Sequence, residues 1–143
     1  MDIRFQVVAF DAAELEPSST FWAGVLGGTV EVEDDWHMVM DGDGAPRIGI
    51  QLAPDHVSPD WPDGDQPQQV HLDLWVEDLA AAHDQVMALG AKLLQAAPGL
   101  DAEEGWQVYA DPATHPACAG TVRSSPDLRP SLATSTTSPK TWP

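Results

Sequence analysis

The chain has 143 residues, of which 43% are hydrophobic, so it has the length and apolar content of a single domain with a real core. It carries 23 acidic against 6 basic residues, a formal charge of −17, which argues against nucleic acid and anionic lipid surfaces as partners. No apolar run approaches the roughly 20 residues that cross a bilayer, the start Met1-Asp2-Ile3-Arg4 lacks the layout of a secretory signal, and the lone Cys118 fits a reducing compartment, so the expected location is the cytoplasm.

Residues 3–10 are β-branched and aromatic and read as a strand. Asp11 to Glu16 is a polar link, and Pro17-Ser18-Ser19-Thr20 reads as the opening of a helix that ends at Gly27-Gly28. Three strands follow at 29–33, 36–40 and 47–53, separated by the turn signals Asp34-Asp35 and Asp41-Gly42-Asp43-Gly44. Residues 54–68 hold four prolines and four aspartates and read as a linker. The pattern then restarts with a strand at 70–76. A helix follows, with Asp78 as N-cap, Leu79, Ala82, Val86 and Leu89 as its apolar stripe and Gly90 as its stop. Later strands are expected at 92–95, 105–110 and near 117–122.

The halves match locally as well as in order. Val25-Leu26-Gly27-Gly28-Thr29-Val30 and Ala88-Leu89-Gly90-Ala91-Lys92-Leu93 both close a helix with Leu-Gly and enter a strand at once. The expected fold is therefore α+β, two βαβββ modules (3–53 and 69–118) forming a curled mixed sheet around a cup, followed by a Ser/Thr/Pro-rich tail over 119–143.

Strand alternation assigns faces. Val70, Leu72, Leu74 and Val76 point toward the helices, as do Ile48, Ile50 and Leu52. His71, Asp73 and Trp75 share the opposite, mixed face, as do Arg47, Gly49 and Gln51. The tryptophans Trp36, Trp75 and Trp106 fall in strands, where they either line the cup or fill the core. The candidate ligand-binding residues are thus His71, Asp73, Trp75, Gln51, Trp36 and Trp106. His37 lies on the face opposite Trp36, and His115 lies in a turn.

The two-module order resembles the vicinal oxygen chelate superfamily, and in particular the glyoxalase-like domains common in actinobacteria. The residues that carry this resemblance are His71-Leu72-Asp73-Leu74-Trp75-Val76-Glu77-Asp78, Phe21-Trp22 followed by Leu26-Gly27, and Asp111-Pro112-Ala113-Thr114-His115-Pro116. The superfamily includes glyoxalase I, extradiol dioxygenases, epimerases and drug-binding resistance proteins. The resemblance implies one divalent metal held in the cup by four side chains, two from the first strands of the modules and two from the last. Carried across, those positions fall at His71, at Val7 (Val8 or Gln6 if the register slips), at Gln51 and at Cys118. His71, Gln51 and Cys118 are the possible ligands, a set short of the three good protein donors that catalytic sites use.

Three readings follow. The first is a small-molecule-binding protein of the glyoxalase-like type with an incomplete metal site and no cofactor. The second is a metal-dependent lyase, isomerase or dioxygenase, and the third a non-catalytic interaction or structural domain. The resemblance also implies a homodimer.

Overall fold

The computed structural model describes residues 1–62, 64–97 and 105–121. Its elements run β1 (Val8–Ala12), α1 (Leu15–Leu26), β2 (Val30–Val32), β3 (Trp36–Met40), β4 (Pro46–Leu52), β5 (Leu72–Trp75), α2 (Leu79–Ala88), β6 (Lys92–Gln95), β7 (Gly105–Ala110) and β8 (Pro116–Thr121). Two four-stranded sheets form, ordered β1-β4-β3-β2 and β5-β8-β7-β6. The second order is the first advanced by four strands, which is the duplication read from the sequence. In each module the first strand pairs parallel with the last, across the helical crossover that parallel strands require.

The first strand of each module is shorter than its residue types suggest. Pairing starts at Val8↔Ile48 in one sheet and at Leu72↔Ala117 in the other. Continuing the second register backwards brings the Val70 carbonyl opposite the nitrogen of Pro116, which has no N–H to donate to a ladder. Residues 70–71 therefore stay outside the sheet, and residues 3–7 also lie ahead of β1 despite their β-branched and aromatic character. The sequence also set the start of α1 two residues late. Pro17 is the third residue of the helix, inside the first turn, where backbone N–H groups have no intrahelical partner and proline removes no bond.

Both helices close as read. Gly27 (φ 64°) caps α1 in the left-handed region, and Gly90 (φ 99°) follows α2. The Asp78 side chain accepts from the Ala81 N–H at 2.9 Å and caps α2. The last strand extends to Thr121, so residues 119–121 belong to the sheet; the rest of the tail lies outside the described residues.

One core serves both modules. Phe10, Trp22, Val39, Ile48 and Ile50 of the first join Leu79, Val86, Tyr109, Ala117 and Ala119 of the second. Leu72, Leu74 and Val76 pack against this core, whereas Val70, ahead of β5, remains exposed. The helices meet where Gly24 lets the Leu89 side chain approach to within 2.5 Å of the position a Cβ would occupy.

The two modules end their third strands in the same turn. Asp41 N–H donates to the Ala45 carbonyl and Gly44 N–H to the Asp41 carbonyl. Asp111 N–H donates to the His115 carbonyl and Thr114 N–H to the Asp111 carbonyl. Gly44 (φ 78°) and Thr114 (φ 72°) occupy the matching left-handed position. Asp41 stays local, pairing with Arg47 at 2.6 Å. Asp111, only 2% exposed, reaches the other module. Its Oδ2 accepts from Ser18 Oγ (2.7 Å) and Trp22 Nε1 (2.9 Å) of α1 and pairs with His115 Nδ1 at 3.0 Å. The His115 ring stacks on Phe10 with centroids 4.8 Å apart, and its Nε2 meets the Asp11 carbonyl oxygen at 2.8 Å. Burial opposes both charges, but their mutual hydrogen bond and attraction outweigh it. The Asp111 carboxyl is held below the usual carboxylate range and the His115 imidazole above its ordinary value.

Candidate functional site

Of the six candidate residues, three lie on the second sheet, one just ahead of it and two on the first. His71 directly precedes β5, and its Nε2 lies 3.5 Å from Asp73 Oδ1. Its Nδ1 faces the Gln68 side-chain amide at 3.3 Å. Both side chains are about two-thirds buried, at 30% and 32% exposure. The two side chains that strand alternation puts on one face thus meet.

Trp75 and Trp106 meet over a glycine. Gly120 of β8 lies opposite Trp75 on one side and Trp106 on the other. With no side chain there, the Trp106 ring settles to within 2.6 Å of where a Cβ would stand, and its centroid lies 5.7 Å from that of Trp75, edge to face. Both rings remain open to solvent, at 56% and 42% exposure. The same face carries Lys92, Leu94 and Ala110, over which the linker residues Pro59 to Pro62 form one wall of a cavity of about 280 Å³.

On the first sheet Trp36 lies opposite Gln51, and its ring covers Gly49, coming within 2.0 Å of that residue's virtual Cβ. Gln51 makes only a long contact, 3.5 Å, to the Asp35 carbonyl. The candidates thus form local sets: Trp36 with Gln51 on the first sheet, and His71 with Asp73 and Trp75 with Trp106 at the second.

The strand registers also bear on the metal set. With Val8 and Leu72 matched as the first paired residues of their strands, Val7 stands level with His71, Gly49 with Cys118, and Gln51 with Gly120. Gln51 and Cys118, matched through the resemblance, are thus not equivalent positions. Whichever pair of last-strand positions is taken, one of the two holds a glycine. Val7, just ahead of β1, offers only an aliphatic side chain. Among the described residues no three His, Cys, Asp or Glu side chains gather as a metal site would require. One imidazole with either a weak amide donor or a single cysteine does not fit a divalent ion, which asks for three or more well-placed ligands.

Two of the four histidines outside the candidate set, His115 and His37, are used elsewhere. His115 belongs to the Asp111 cluster. His37 is buried on the helix side of the first sheet, its Nδ1 2.8 Å from Ser19 Oγ. Strand alternation put His37 on that face, but nothing local marks Ser19 as its partner.

This architecture, with two parallel-closed βαβββ modules and a mixed face opposite the helices, defines the glyoxalase/bleomycin resistance/dioxygenase class of fold. The sequence profile of the glyoxalase-like domain matches residues 7–120, and the chain belongs to that family. Among solved structures it is similar to a glyoxalase/bleomycin resistance protein/dioxygenase family enzyme from Burkholderia phytofirmans PsJN (TM-score 0.60, 17% identity, 81% of this chain and 96% of that one). It is also similar to the fosfomycin resistance protein FosX from Mesorhizobium loti (0.60, 15%, 85% and 93%) and to TioX from Micromonospora sp. ML1 (0.54, 15%, 80% and 95%). No curated protein sequence matches. Among the described residues no helix is long and apolar enough to cross a membrane.

Proposed function

We propose that this chain is a metal-independent small-molecule-binding member of the glyoxalase-like family, of the actinobacterial kind, acting in the cytoplasm as a homodimer. The observation that carries the reading is the Trp75–Trp106 pair. Two large rings seated over Gly120 and left half in water form a ready stacking surface, which costs solvation unless a partner covers it. On the same face His71 and Asp73 supply polar groups beside it, and a cavity lined by Pro59, Asp60, Lys92, Leu94 and Ala110 opens under the linker. A planar aromatic molecule with a polar edge fits this chemistry. A metal-dependent reaction asks for donors that Val7, Gly49 and Gly120 do not supply.

The test is a fluorescence titration of the full chain with a panel of planar aromatic compounds, repeated with Trp106→Ala and Trp75→Ala. Both side chains are half exposed, so the variants keep the fold. Loss of one stacking partner is expected to weaken binding about tenfold or more. Elemental analysis of protein purified without chelators is expected to give less than about a tenth of a divalent metal per chain. Stoichiometric metal, or binding that ignores both tryptophans, overturns the proposal.

A further inference from the structure

We infer that the first module carries a second ligand site, on the helix side of its sheet and away from the tryptophan pair, for an organic ammonium with an apolar body. A cavity of about 570 Å³ opens between the N-terminal half of α1 and strands β2 and β3. Leu15, Val30, Val32 and Leu52 give it apolar walls, and Val32 is 69% exposed although it sits in a strand. Glu16 and Asp34 stand in its lining, with no lysine or arginine among the lining residues.

The polar floor is His37, whose protonation pattern can be worked out. The single hydroxyl hydrogen of Ser19 is directed to the Glu16 carbonyl at 3.3 Å. The tautomer that satisfies both contacts donates from His37 Nδ1 to Ser19 Oγ at 2.8 Å. That tautomer leaves Nε2 as a bare acceptor. Nε2 makes no protein hydrogen bond, and it is not among the polar atoms sealed from solvent. In a residue 8% exposed that lines the cavity, Nε2 is the atom presented to it. The matching residue of the second module, Gln107, is sealed instead, at 1% exposure with its Nε2 unpaired. The site is therefore a property of one copy only.

Floor and rim present acceptors: an imidazole lone pair, two carboxylates and the Thr20 hydroxyl, which can turn its lone pairs inward. Such a lining selects a ligand that donates and carries positive charge, and the chain's −17 charge raises the local concentration of cations. The apolar walls select a hydrocarbon body on the same molecule.

The test uses 2-phenylethylammonium as probe, against 2-phenylethanol and 3-phenylpropionate, followed by two-dimensional amide NMR of the full chain. Saturable shifts are expected at residues 15–20 and at His37 with the ammonium, with the alcohol weaker by about tenfold and the carboxylate silent. Val32→Arg is expected to abolish the response and the double variant E16Q/D34N to reduce it to the level of the alcohol; all three positions are exposed, so folding is retained. Equal responses to ammonium and alcohol, insensitivity to either variant, or shifts confined to residues around Trp75 and Trp106 would overturn the inference. The titration of the tryptophan face reads a different surface and stands or falls separately.

Discussion

At the scale of single residues, Asp111 does the most. One carboxylate oxygen takes bonds from a serine, an indole and an imidazole, two of them from a helix some ninety positions earlier in the chain. Asp111→Asn removes the charge that His115 is paired with and sets an amide donor against groups that themselves donate, the Ser18 hydroxyl and Trp22 N–H or the His115 backbone N–H. It is expected to cost about 3 kcal/mol in urea unfolding, the scale for breaking a buried pair by changing one partner. The cost should depend on pH in a definite sense. His115 is raised on folding, so its share is fully present below its unfolded pKa of about 6.5 and is lost as pH rises through the higher folded value. Asp111 is lowered, so its share is present above 3.8 and is lost as pH falls through the lower folded value. The gap in unfolding free energy between wild type and variant should thus be widest in the weakly acidic range between these limits and narrow on either side. A gap that is flat with pH would refute the charge-paired description.

At the scale of elements, alternation and punctuation carried most of the information. The apolar faces of β4 and β5, the Asp78 cap and the Leu-Gly helix ends were legible because each depends on residues within one turn or one pleat. Strand length was not legible, since β5 is cut short by a proline in β8, a partner 45 positions away. Nor was the difference between Gln51 and Cys118, because it depends on the register between strands and not on the order of residues. The pairing of Trp75 with Trp106 was hidden for the same reason: both were named as candidates, but Gly120, which brings them together, looked like part of a tail. Gly120→Val is expected to push the Trp106 ring off its seat, change the near-ultraviolet circular dichroism of the aromatic side chains, and weaken binding on that face. An unchanged near-ultraviolet spectrum would mean that the glycine is not what seats the ring.

At the scale of the whole molecule, the charge is the dominant fact. A net charge of −17 on a compact chain is a self-repulsion that favours expansion, and few described ion pairs offset it. Screening should therefore stabilise the fold. Raising sodium chloride from about 0.02 to about 0.5 M shortens the Debye length from roughly 20 to roughly 4 Å and is expected to raise Tm by several degrees in scanning calorimetry. A fall in Tm would show that attractive pairs outweigh the repulsion.

The Asp111 turn also says something about how such a chain comes into being. Duplication suggests two units that fold in sequence, the first while the second is still being made. Here Ser18, Trp22 and the Asp11 carbonyl have no partner until residues 111–115 arrive, and Phe10 lacks the ring that covers it. The first half leaves the ribosome with an indole N–H and a serine hydroxyl waiting for an anion that is synthesised near the end of the second. The two modules are tied into one structure through this turn, and the half that is synthesised first is completed last.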